Sequence, residues 1–326
     1  PTETVGILPP GKGAATVWKI AVNGVMAGCR PEYMPVLIAI IEAVATPRFG
    51  LQHAGSTVGW TPLIILNGPI ARQLDFNCGQ GVLRPERQAN ITVSRFLRLA
   101  MVNIARFHLG ETDMATFGRN YYPVLAEDEE NSPWPPLCAD RGFPAGANVV
   151  TVQSADCTAH NFLTIGDGEE QLSIIAREVA RELGGPIIAI IEHMGPEFNP
   201  LVCVSPLVAG IIAKAGYSKD DVRKYLYEHA RVTVEQFNYI LNVMRQGDTV
   251  PRAVREGRLP EEFGLSDDPE RLVPVMHRPE EMMIAVSGAP ARNRSFVVGQ
   301  FGNQGLSVSQ EIKLPAGWQP PRRARG

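Results

Sequence analysis

The sequence predicts an α/β fold of two similarly built halves around a pseudo-symmetric core, and three observations predict it. The short apolar runs Leu63–Leu66, Leu201–Val204 and Met282–Val286 read as strands buried on both faces, and Val149–Val152 reads as another strand. Longer segments with apolar residues at helical spacing separate these runs. Finally, Pro62–Asn67 lies 138 residues before Pro200–Ser205, and the same offset lays the helix around Val36, Leu37 and Ile41 on Ile174, Ile175 and Val179. The strands ending at Val152 and Val286 are 134 apart. Recurring order at nearly constant spacing is the mark of an internal duplication.

Taken in order, Pro1–Gly13 reads as a loop rich in Pro and Gly. A helix is expected from Ala14 to Ala27, closed by Gly28, and a second from Pro31, a favoured first helical position. Asn67-Gly68-Pro69 ends the first strand and opens a short helix. Ala89–Phe107 reads as a long helix and 109–147 mostly as loop. In the second half, helices are expected at Glu169–Leu183, Leu207–Ala215 and Lys219–His229. The halves are expected at 1–155 and 156–315, followed by a basic, disordered tail at 316–326.

With 326 residues and 44% hydrophobic content the chain can bury a large core without staples. A formal net charge of -3 supplies no basic field for nucleic acid. The longest apolar stretches, Pro35–Ala45 and Pro186–Ile191, are too short for a membrane span, and no signal peptide is legible. Five widely spaced cysteines without a Cys-x-x-Cys pair read as reduced thiols, and so as a cytoplasmic chain. Closed symmetric assemblies are common, so a homo-oligomer is expected.

Ligands of open α/β sheets bind beyond the carboxyl ends of strands, where following helices aim N–H groups. That rule nominates Asn67, Gly68, Ser205, Ser287 and Gly288 as substrate-binding candidates. Cys29, between a helix closed by Gly28 and one opened at Pro31 and beside Arg30, is the candidate nucleophile, because a helix N-terminus and a cation favour thiolate. The stretch 79–95, with Arg84, Arg87, Asn90 and Arg95, could receive a carboxylate or phosphate, and Asn77 and Cys78 flank its Gly-rich start. It matches no Walker or dinucleotide pattern, and Gly11-Lys12-Gly13 reads as a solvated loop. The acidic run Glu127-Asp128-Glu129-Glu130 offers proton-transfer groups in Glu129 and Glu130 and a hard-cation site at Glu127 and Glu130. It also reads as a solvated charge run. The six histidines form no i, i+4 pair, so no histidine metal motif is present. No cofactor is legible.

The segments Asn23–Tyr33, Asn67-Gly68-Pro69-Ile70-Ala71, Ala89-Asn90-Ile91-Thr92 and Ala126–Trp134 resemble a poorly characterised bacterial family. Its members are often found beside small (seleno)proteins carrying a Sec/Cys-Gly-Ser-Cys motif. The likeness covers most of 3–155 and more loosely 200–300. It departs at Arg84-Pro85-Glu86-Arg87, where the family form is richer in Gly and Asn. The resemblance carries no settled activity. It implies a thiol- or selenol-linked partner and adds weight to Cys29.

These readings lead to an expected oxidoreductase or lyase that uses Cys29 on a small polar or anionic molecule in a cleft between the halves. The alternatives are a metal-assisted lyase or hydrolase using the acidic loop, and a non-catalytic subunit that positions a thiol or selenol redox partner.

Overall fold

The computed structural model describes the chain except residues 58, 85, 119–121, 159–160, 185–198, 244–246, 265, 267, 301–304 and 321–326. The apolar stretch Pro186–Ile191 and most of the basic tail lie outside the described residues.

The N-terminal segment expected as loop is a hairpin, β1 (Thr4–Leu8) and β2 (Gly13–Thr16), whose turn holds Pro9, Pro10 and Gly11. Thr16 then caps helix α1 (Val17–Ala27), accepting from the Lys19 N–H, and Gly28 closes the helix at φ 90°. Helix α2 (Met34–Ala45) is nearly all apolar and buried, and strand β3 (Leu63–Asn67) is fully buried. A short helix α3 (Pro69–Gln73) comes next, and α4 (Gln88–Ala100) continues into a π-helical turn at Met101–Ala105. The stretch expected to be loop carries β4 (Val124–Ala126) and α5 (Leu137–Asp140).

Strands β5 (Val149–Gln153), β6 (Ala155–Thr158) and β7 (Phe162–Leu163) lead to α6 (Gly168–Leu183), which opens on an Asp167/Glu170 capping box. Strand β8 (Leu201–Val204) is followed by α7 (Pro206–Lys214) and α8 (Lys219–His229), capped by Ser205 and Ser218. The chain continues through β9 (Arg231–Thr233), α9 (Val234–Val243), α10 (Thr249–Arg255) and β10 (Leu272–Pro274). It ends on β11 (Met283–Val286), β12 (Arg294–Gln300) and β13 (Val308–Glu311).

Two mixed sheets form, ordered β13-β5-β3-β4 and β11-β8-β12-β6, with β7 also on β12. Both share one plan. Ile64 of β3 lies between Val124 of parallel β4 and Val152 of antiparallel β5. Val202 of β8 lies between Ile284 of parallel β11 and Val297 of antiparallel β12. The expected match of Pro62–Asn67 with Pro200–Ser205 therefore agrees with the pairing. The expected match of Val149–Val152 with Met282–Val286 does not, since β11 corresponds to β4 and β5 to β12. One crossing ties the halves together: β13, within the stretch assigned to the second half, completes the first sheet, whereas β6, at the boundary, joins the second.

Side chains alternate along each strand. Ile64 and Leu66 face a core shared with α1, α2 and α4, whereas Val202 and Val204 face one shared with α6 and α7. Leu63, Ile65 and Leu125 from one sheet meet Leu201, Cys203, Met283 and Ala285 from the other in a third core. The sheets thus pack face to face with helices outside, and the unbroken apolar runs are explained by burial on both faces. No single described helix is long and apolar enough to cross a membrane. A bent pair, Pro31–Ala45 with Pro47–His53, meets the length and composition together, but α2 within it is a core helix.

Candidate functional site

The carboxyl ends of β4 and β11 meet. Asp128 N–H donates to Val286 O (2.8 Å), and the Ser287 hydroxyl donates to Ala126 O (2.8 Å). Glu127, at the end of β4, is buried and reaches across to the other sheet. Its Oε2 accepts from Asn67 Nδ2 (2.7 Å) and Leu137 N–H (2.8 Å), and its Oε1 from Val286 N–H (3.3 Å). Burial pushes its carboxyl up, while the buried ammonium of Lys219 and these donors pull it down. Glu129 Oε1 accepts from Asn67 Nδ2 (3.0 Å) and Gly68 N–H (2.6 Å), so one amide nitrogen holds two carboxylates. Glu130 lies exposed and pairs with Arg72.

The metal reading of Glu127 and Glu130 is not supported by this arrangement, because Glu127 is occupied by three N–H donors and Glu130 pairs at the surface. No group of three or more His, Cys, Asp or Glu among the described residues could hold a metal. The run is only partly solvated: Glu127 and Asp128 are buried, and Trp134 anchors the chain just beyond it through Nε1–H to Tyr217 O (3.1 Å).

The loop beyond α3 is held by its own residues. Asn77 Oδ1 accepts from Gly79 N–H (3.0 Å), and its Nδ2 donates to Gln80 O (3.0 Å). Asn90, buried on α4, accepts from Asn77 N–H (3.0 Å) and donates to Val124 O (2.7 Å). Cys78 O accepts from the Ser287 hydroxyl (3.1 Å) and Gly288 N–H (2.8 Å). Asn77, Cys78 and Asn90 therefore clamp this loop to the ends of β4 and β11. Arg95 is exposed on α4 and does not line the cleft.

Between this loop and the second sheet opens a cleft of about 350 Å³. Its lining joins residues 80–84 to Cys203, Ser205, Ser287, Gly288, Arg292, Arg294 and Phe296, so both halves contribute. Val82, Leu83, Cys203 and Phe296 make it apolar, and Arg84, Arg292 and Arg294 bring three cations. No acidic residue lines it, and none of the three arginines pairs with a carboxylate among the described residues. The Ser205 hydroxyl is engaged with Arg292 O (2.5 Å), so Ser205 and Ser287 shape the cleft rather than offer it free protons. Arg292 and Arg294 were not legible as site residues. The signal was their closeness to Ser287-Gly288 in a Gly/Pro-rich loop.

Cys29 does not join this cleft. Its backbone N–H closes α1 on Gly24 O (2.9 Å), and its thiol lies half-buried against the α1–α4 core. Arg30 turns away to Gln88 Oε1 (2.8 Å). Burial raises the thiol to about 11, with Thr92 opposing weakly, which reverses the expected thiolate. Cys138 is also raised to about 11, and burial pushes Cys203 up further. We expect iodoacetamide at neutral pH to label Cys29 more slowly than an unfolded-state thiol. The pH dependence has a definite sign. Thiols raised in the fold hold their protons above 9.0, where the unfolded thiols ionise, so their stabilisation is complete below 9.0 and is lost as pH rises through about 11. Urea midpoints falling across this window are the expected result, and a rise would contradict it.

Comparison with known proteins adds no assignment: no family model matches the chain, and no curated protein matches it at a significant level.

Proposed function

We propose that the protein binds a small molecule with an anionic group and an apolar body in the cleft between residues 80–84 and the carboxyl ends of β8 and β11. The observation that carries this reading is the set of three exposed arginines, Arg84, Arg292 and Arg294, around an apolar floor with no acidic residue among the described lining residues. A chain of net charge -3 has concentrated cations here, and guanidinium forks suit carboxylate or phosphate. The position beyond parallel strand ends is where α/β enzymes hold substrates, which favours an enzyme of small anions over a purely structural subunit. Cysteine chemistry at Cys29 is not part of this reading, because the thiol lies off the cleft and is protonated at neutral pH.

The test is thermal melting with butyrate and with butylamine. Butyrate at about 100 times its Kd is expected to add about 2.7 kcal/mol of stability. The Arg292→Gln/Arg294→Gln variant is expected to lose most of that gain. Equal stabilisation by the amine, or an unchanged gain in the variant, would remove the proposal.

A second reading, a docking subunit for a thiol or selenol protein or for another copy of the chain, is favoured by α1. Trp18, Val22, Val25 and Met26 lie on one helical face just before Cys29 and are all exposed, Val25 at 75%. Light scattering tests the self-association form of it. An oligomer that Val25→Glu returns to monomer mass is expected, and a native monomer at all concentrations would remove it.

A further inference from the structure

Away from the cleft, and sharing no lining residue with it, a second cavity of about 200 Å³ opens where α4 gives way to its π-helical turn. That turn is itself informative. A π-helical segment is uncommon and concentrates at functional sites, because the extra residue per turn displaces side chains from the regular helical stripe. Here Met101, its first residue, lines the cavity, and the turn ends at Arg106, a non-glycine residue held at φ 68°.

The walls are aromatic. Trp60 and Tyr122 meet edge to face with ring centroids 5.5 Å apart, and Phe107 adds a third buried ring. Two charged groups, Arg98 and Asp113, line the cavity beside these rings. Arg98 uses a single terminal nitrogen, Nη1, for both Asp113 Oδ2 (3.2 Å) and the Tyr122 hydroxyl (3.4 Å). Among the described residues its Nε and Nη2 have no partner. Phe117 lines the cavity yet is 97% exposed. A large apolar side chain left in water at the mouth of an aromatic cavity gains contact when something fills that mouth.

We propose that this cavity is a binding site for a small aromatic carboxylate, with the ring against Trp60, Phe107 and Tyr122, the carboxylate on the free nitrogens of Arg98, and Phe117 packing over the ring. Size supports one ring: a dry cavity of about 150 Å³ accommodates benzene, so about 200 Å³ takes a six-membered ring with one small substituent. Chemistry selects the substituent. Asp113 is already paired with Arg98, so a cationic group would compete for an occupied carboxylate, whereas an anion meets unused donors on a half-exposed guanidinium. This proposal does not rest on the anion cleft.

Benzoate, benzyl alcohol and benzylamine are the probes, titrated into the full chain and followed by two-dimensional NMR. Benzoate is expected to saturate and to bind about tenfold more tightly than benzyl alcohol, with benzylamine weakest. Phe117→Ala, at a fully exposed position where folding is not at issue, should weaken benzoate severalfold. Arg98→Gln with Asp113→Asn, which removes both charges together, should abolish the preference for benzoate over the alcohol. Arg292→Gln/Arg294→Gln should leave benzoate binding here unchanged, which separates this site from the cleft. Absence of saturable benzoate binding, tighter binding of the amine, or full benzoate affinity in Phe117→Ala would overturn the proposal.

Discussion

Glu127→Ala is expected to destabilise the protein by about 3–5 kcal/mol, a large share of the total stability of an ordinary domain. Truncation leaves three N–H groups, those of Asn67 Nδ2, Leu137 and Val286, without the acceptor that holds them at the junction of the two sheets. Glu127→Gln should be much milder, about 1–2 kcal/mol. A carbonyl oxygen placed at the Oε2 position keeps the two shorter bonds and sacrifices only the one to Val286, at 3.3 Å. Urea unfolding of the three proteins checks the order. If the amide variant is as unstable as the alanine variant, the negative charge, not the acceptor geometry, holds the junction together.

Gly68→Ala is the second large effect, expected at about 3 kcal/mol or more. Gly68 sits at φ 89°, ψ 175°, a region that essentially only glycine occupies. Steric conflict adds to the backbone cost. An added Cβ would come within 2.8 Å of the Ala147 carbonyl carbon and of Asn148 Cα, both backbone atoms that cannot swing aside. Because Gly68 N–H also holds Glu129 at 2.6 Å, the variant should disturb the paired carboxylates as well. Calorimetry showing a melting temperature within a degree or so of the native protein would contradict this account of the turn.

Legibility in the sequence tracked burial. β3, β8 and β11 were legible because both their faces are covered, which turns the alternating pattern into an unbroken apolar run. β4 escaped notice because it has three residues, and β13 because its residues Val308–Glu311 are half-exposed and mostly polar. The hairpin at the N-terminus was hidden by its own turn, since Pro9, Pro10 and Gly11 mark a break without showing what they connect. The near-equal spacing of Val152 and Val286 misled for a topological reason: one is in an antiparallel neighbour of its central strand and the other in a parallel one.

The candidate site divides in the same way. Ser205, Ser287 and Gly288 were nominated because strand ends are a local feature of sequence, and all three line the cleft. Asn67, Asn77, Cys78 and Asn90 lie near it in a supporting role, which depends on contacts across 13 to 209 positions that no local pattern encodes. The same holds for the pairing of Asp140 with the buried Lys219 and Arg223, each 2.6 Å from one carboxylate oxygen. Cys29 was misjudged because a turn between helices reads as exposed, whereas α4, some sixty residues on, covers it through Thr92.

If Arg84, Arg292 and Arg294 act together on one anion, their own side-chain signals report it. Side-chain N–H resonances of the arginines, assigned by substitution, would be followed while butyrate is titrated into the native protein. The Arg292 and Arg294 resonances, and that of Arg84, are expected to shift along one saturating curve, while those of exposed arginines elsewhere, such as Arg95 and Arg87, stay in place. Uniform, unsaturated drift of all the arginines, or a saturating response that leaves Arg292 and Arg294 untouched, would contradict it.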